Sequence, residues 1–139
     1  MDGFFFEDLA LGQSASFAKT ITEADILLFS AVSGDTNPVH INAEAAAASM
    51  FKERIAHGML SASLISTVLG TRLPGPGTIY LGQNLKFKAP VRIGETVTAT
   101  ATITALDPVK KRATLSTICT VAGKTVIDGE ATVMVSSRP

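Results

Sequence analysis

The sequence predicts an α+β fold in which a curved antiparallel sheet wraps around one buried helix. Three observations lead there. A helical stretch near the middle of the chain, Met59 to Leu69, is apolar or small on nearly every side, as a buried helix must be. All the longer β-branched runs follow it, and turns containing Gly or Pro separate those runs. A helix followed by consecutive strands buries both apolar faces most simply when the sheet packs on that helix.

Taken in order, Ser14 to Thr20 reads as a short strand. Thr22-Glu23-Ala24-Asp25 resembles a capping box and opens a helix through Ile26, Leu27 and Phe29 that ends near Ser33 and Gly34. From Gly34 to His40 the chain is predicted to be irregular. Asn37 precedes a proline, which disfavours the helical region, and Gly34, Asp35 and Asn37 favour turns. Asn42 is placed to cap an alanine-rich helix from Ala43 to about Ser49. A loop from Lys52 to His57 leads to Gly58 and the buried helix, which Gly70 and Pro74-Gly75-Pro76-Gly77 end. Strands are expected at Thr78 to Lys88, Thr96 to Leu106, Ala113 to Val121 and Lys124 to Val135. Turns at Ile93-Gly94, Asp107-Pro108 and Ala122-Gly123 join them. Such a sheet leaves an edge strand that pairing across a dimer would cover.

Composition narrows the functional classes. The 139 residues form one domain, 46% apolar and 17% charged, enough for a generous core and some apolar surface to hide in an oligomer. Twelve basic residues balance twelve acidic ones, so no net field draws the chain to nucleic acid or an anionic membrane. The lone Cys119 has no partner for an internal disulfide and no metal-ligand spacing around it. The start, with three phenylalanines and early acidic residues, lacks the positive charge of a secretory signal, and no stretch has the length of a membrane span. A cytoplasmic protein is the expectation.

The run Ser33-Gly34-Asp35-Thr36-Asn37-Pro38-Val39-His40, with Phe29 before it and Ala45 and Ala46 after, resembles the signature of the MaoC-like (R)-specific hydratases. The similarity continues through Ala56-His57-Gly58-Met59-Leu60, Leu73-Pro74-Gly75-Pro76-Gly77 and Tyr80-Leu81-Gly82-Gln83. Phe87-Lys88-Ala89-Pro90-Val91 and Gly129-Glu130-Ala131 extend it over nearly the whole chain, closest to short single-domain hydratases of polyhydroxyalkanoate synthesis. The resemblance implies a homodimeric hotdog enzyme that adds water to a trans-2-enoyl-CoA, giving an (R)-3-hydroxyacyl-CoA. It implies no metal and no redox cofactor.

That chemistry explains the residue types. Water is a weak nucleophile and C3 of an enoyl thioester a modest electrophile. Hydration therefore needs a base for a water proton, an acid for C2, and a donor for the enolate-like oxygen. Asp35 and His40 are the acid–base candidates, held on one segment with Pro38 between them. Gly58, where the buried helix begins, is the candidate oxyanion donor through its free N–H, with a packing role as the competing explanation. The resemblance adds Ser66 as a serine that hydrogen-bonds either within the site or back to the preceding turn. Asn37 is expected to fix the loop, and His57 to support the start of the helix. Leu69 and Val133 are candidates for the acyl pocket, although core packing explains them equally well. Lys86, Lys88 and Arg92, joined by Arg72, make the only basic cluster for CoA phosphates; solvated strand charges are the ordinary alternative.

Three rivals remain at this level. One is a relative acting on a branched, dicarboxylic or carrier-protein-bound thioester. The second is a hotdog thioesterase, against which the Asp-x-Asn-Pro-x-His segment argues. The third is a non-catalytic acyl-CoA-binding module, which would not need both Asp35 and His40.

Overall fold

The computed structural model describes residues 2–139. Five strands form a single sheet: β1 (Ser14–Thr20), β2 (Ile79–Phe87), β3 (Thr96–Asp107), β4 (Arg112–Val121) and β5 (Lys124–Met134). The order across the sheet is β1-β3-β4-β5-β2, and every neighbouring pair is antiparallel. Four α-helices accompany it among the described residues, α1 (Glu23–Ser33), α2 (Pro38–Ile41), α3 (Ala43–Ala47) and α4 (Gly58–Thr71), with a short 3-10 helix at Phe6–Asp8. The α+β prediction holds, and the strand limits agree with the sequence reading to within about two residues.

The core lies between α4 and one face of the sheet. On β3, Val97, Ala99, Ala101 and Ile103 point inward, and on β4 Ala113, Leu115, Thr117 and Cys119 do so. This strict alternation is the period of a half-buried strand. The alanines at the centre let α4 settle close to the sheet, where Leu64, Ile65, Val68 and Leu69 fill the space. Small residues opposite large ones are how two layers interdigitate at interior density.

Three sequence expectations are corrected. The segment after Gly34 is not irregular throughout: Pro38 to His40 lie in the short helix α2, so His40 is helical. Pro38 occupies its first turn, where a missing N–H costs nothing, and Asn37 caps it by accepting from Val39 N. Second, α4 runs through Gly70 to Thr71. Third, α4 is not buried on every side. Met59, Ser63, Ser66 and Gly70 are exposed at spacings of four, three and four residues, which is one helical stripe. Being apolar or small, those residues do not mark the stripe as a polar face.

Strands β1 and β2 are the edges of the sheet. Along β2, Ile79, Tyr80, Leu81 and Phe87 are exposed large apolar side chains.

Candidate active site

The site is assembled from the turn after α1 and the segment before α4. Thr22 and Asp25 form a reciprocal capping box at the start of α1, and Asp25 also pairs with Lys19 at 2.7 Å. That pairing, with the hydrogen bonds from Lys19 and Thr22, holds the Asp25 carboxyl below its usual range. At the other end Gly34, with φ 79°, turns the chain out of the helix in the left-handed region that glycine adopts freely. Ser33 Oγ then accepts from Asp35 N at 3.1 Å, and Asp35 Oδ1 accepts from Asn37 N at 3.2 Å. One carboxylate oxygen is thus spent on the turn, and Oδ2 is left over.

His40 is buried, and its Nδ1 lies 2.8 Å from the carbonyl oxygen of Ile55. A carbonyl only accepts, so Nδ1 carries the proton and Nε2 is the free acceptor of the neutral ring. Arg54 braces the same residue from behind, donating Nε to His40 O at 2.7 Å while its NH1 pairs with Glu23. His57 sits immediately before α4. Its ring stacks on His40 with centroids 3.9 Å apart, and its Nε2 lies 2.9 Å from Asp35 O and 3.1 Å from Ser30 Oγ.

One ligating atom from each of Asp35, His40 and His57 lies within 4.8 Å of the other two. Their arrangement suits proton transfer better than metal binding. The imidazole planes are inclined by only 27°, so their in-plane lone pairs run side by side instead of converging on one ion about 2.0–2.1 Å away. Asp35 and His40 open onto a cavity of about 540 Å³. Its walls are mainly apolar, with Phe51, Ala56, Phe87, Val91 and Ile127 prominent and Ser61 a polar point among them. The size is that of a small-molecule pocket. Cys119 plays no part: it is buried in the core, where desolvation pushes its thiol up to about 11.

Of the residues singled out from the sequence for a role, Asp35, His40, His57, Gly58 and Lys88 line this cavity. Gly58 heads α4, but a Cβ there would come within 2.6 Å of the Phe87 ring. The demand for glycine therefore comes from Phe87 on its Cα side, as well as from any oxygen near its N–H. Asn37 caps α2 and does not line the cavity. Ser66, Leu69 and Val133 do not line it either: Ser66 is on the open stripe of α4, and the other two are fully buried core. At 1.5 Å of rise per residue, Ser66 is about 12 Å and Leu69 about 17 Å along α4 from Gly58, beyond the cavity's reach. The basic cluster also disperses. Arg92 pairs with Glu53 and donates to Phe51 O, while Arg72 lies over Phe17 and donates to Ser16 O.

The sequence reading missed Ser61 and underrated His57. Ser61 stands three residues after Gly58, the spacing that returns to the same helical face. That spacing was the available signal.

A curved antiparallel sheet packed on a central helix, with a carboxylate and an imidazole beside a cleft at the helix start, defines a hotdog domain. The chain belongs to the MaoC-like domain family, whose profile matches residues 8–130. It is 67% identical over 134 residues to an (R)-specific enoyl-CoA hydratase of Rhodospirillum rubrum, covering 96% of this chain and 93% of that protein. Its fold superposes on an R-hydratase of Pseudomonas aeruginosa with a TM-score of 0.92 and 47% identity, covering 98% of this chain and 88% of that one. An (R)-hydratase of A. caviae involved in PHA biosynthesis matches with a TM-score of 0.90 and 45% identity, over 93% of this chain and 98% of that one.

Proposed function

We propose that this protein reversibly hydrates trans-2-enoyl-CoA thioesters to (R)-3-hydroxyacyl-CoA, with Asp35 and His40 sharing one water. The observation that carries the reading is the pair of unspent acceptors, Asp35 Oδ2 and His40 Nε2, at one end of an apolar cavity. Hydrogen bonds of about 2.8 Å from one water, opened to a tetrahedral angle, place its two acceptors about 4.6 Å apart. A carboxylate oxygen of Asp35 and a ring nitrogen of His40 lie within 4.8 Å of each other, so the two side chains are close enough for one water to join them. The names of the relatives supply the substrate class and the stereochemistry.

In this mechanism both groups begin as acceptors, so no separate acid is needed. One of them takes a proton as the water oxygen bonds to C3. The C2=C3 π pair moves into the thioester and gives an enolate-like oxygen. Gly58 N–H, a donor that α4 cannot use, faces that charge, and loss of such a donor typically costs about 3–4 kcal/mol. The proton just taken then passes to C2 from the same face, which makes the addition syn and restores the resting state. Atoms and charges balance with water as the only co-reactant, so the steps require no cofactor.

Lys88 is the candidate for a CoA phosphate. It is exposed at the cavity and only loosely paired with Asp128, at 3.8 Å. Asn37 serves by holding the turn. Ser66, Leu69 and Val133 enter only if a long acyl chain extends past the cavity along α4. A homodimer fits the exposed apolar residues of β2, since edge-to-edge pairing would cover them and the strand's unpaired backbone groups. No helix among the described residues is long and apolar enough to cross a membrane, and an acyl-CoA substrate fits a cytoplasmic setting.

The test is the ultraviolet absorbance of crotonyl-CoA on adding enzyme, with product chirality determined and Asp35→Asn as control. Loss of absorbance with (R)-product, absent in the variant, is expected. Failure with crotonyl-CoA and with longer, branched and carrier-bound enoyl thioesters would sink the reading in favour of a binding module.

A further inference from the structure

A histidine immediately before a helix would ordinarily be explained as its cap. His57 is not one: it occupies the N-cap position of α4, yet its side chain makes no capping hydrogen bond. The ring turns instead towards the acid–base pair. Nε2 lies 2.9 Å from Asp35 O, a pure acceptor, so Nε2 carries the proton and shares it with Ser30 Oγ at 3.1 Å. Nδ1 is buried without any partner, which leaves it as a bare lone pair. One face of the ring covers His40 at 3.9 Å, and Phe29 abuts it at 4.8 Å with a 53° tilt. The residue is only 2% exposed, as a packing element would be, but its shortest hydrogen-bond distance is to Asp35 and its nearest stacked ring is His40, the two proposed proton-transfer residues.

We propose that His57 is a positioning residue for the reaction, held as the Nε2–H tautomer. Its N–H fixes the Asp35 main chain, its ring face fixes the plane of His40, and together they set the separation of Asp35 Oδ2 from His40 Nε2. The inference rests on the hydratase reading above, because only a two-group mechanism makes that separation matter. Misplacing a reacting group by about an ångström costs on the order of 10²-fold in rate. His57 reaches the cavity wall but is only 2% exposed, and its N–H is already engaged by Asp35 O and Ser30 Oγ, so the loss falls on kcat and not on KM.

The experiment has two arms. The chain contains two histidines, so nitrogen-15 histidine labelling of the wild-type protein gives two ring systems to assign. The spectrum should show His57 protonated on Nε2 and His40 on Nδ1; a His57 ring protonated on Nδ1 would overturn the proposal. That arm needs neither turnover nor a variant. In the second arm, His57→Phe keeps a flat ring on His40 but loses the donor, and His57→Gln keeps a donor. The expected result is a kcat about 10–100-fold lower for His57→Phe with KM within about threefold, and a smaller loss for His57→Gln. A His57→Phe kcat within about threefold of wild type, or a loss confined to KM, would contradict it. Should His57→Phe melt early, His57→Gln and the tautomer decide the matter. Inactivity of the wild type on every enoyl thioester would instead fault the functional reading, while the tautomer would still report on the hydrogen bond.

Discussion

The sheet and the segment from Ser33 to His57 are built on opposite principles. From Val97 to Ile103 on β3 and from Ala113 to Cys119 on β4 every second side chain is buried, and most of these side chains contribute apolar contact alone. In the segment proposed to carry the chemistry, several polar side chains each hold one particular partner. Ser33 Oγ holds Asp35 N, Asp35 Oδ1 holds Asn37 N, Asn37 Oδ1 holds Val39 N, and Ile55 O sets the tautomer of His40. The first region draws its stability from area, which is distributed and tolerant. The second obtains precision from individual hydrogen bonds, which leaves two acceptors free but places little apolar surface out of water. Stability and chemistry should therefore be separable by mutation.

The largest effects should come from Asp35→Asn and His40→Gln. Each should lower kcat by on the order of 10²–10⁴ while thermal melting moves little, because Asp35 is exposed and His40 sits on one short turn. Retention of most of the wild-type rate by either variant would break the two-group mechanism. Leu69→Ala should do the reverse. Leu69 is 1% exposed in the core, so truncation should cost about 2–5 kcal/mol in denaturant unfolding. Crotonyl-CoA turnover by the folded fraction should be near normal; a strong loss there would bring Leu69 back to the site. The smallest effect belongs to Asp25→Asn. The folded-state pKa of Asp25 is lowered, chiefly by the Lys19 hydrogen bond, so its stabilisation is present above the unfolded carboxyl value and is lost as the pH falls. Melting of the variant should lag wild type at neutral pH and converge with it in acid. A gap that persisted in acid would mean the carboxylate charge is not what matters.

The same contrast explains what could be read from sequence. Strand β1 occupies Ser14–Thr20 as its pattern predicts, and α1 begins at the Thr22 capping box and ends at Gly34, because local patterning and end signals set these elements. Asp35 and His40 were legible through a motif. His57 was not, since its partner is a main-chain oxygen 22 residues away, and main-chain oxygens carry no sequence signature. Ser66 was placed by resemblance and Leu69 by its apolar position on the buried helix, and neither lines the cavity, while Ser61 does. The open stripe of α4 was hidden because Met59, Ser63, Ser66 and Gly70 include no charge.

The central claim is that one water, held by Asp35 and His40 on a single face, supplies both the oxygen at C3 and the hydrogen at C2. Hydration of crotonyl-CoA in D2O, followed by determination of the relative configuration at C2 and C3, tests it directly. The mechanism predicts syn addition, with deuterium and hydroxyl delivered to the same face; anti addition would require an acid on the opposite wall and would contradict it.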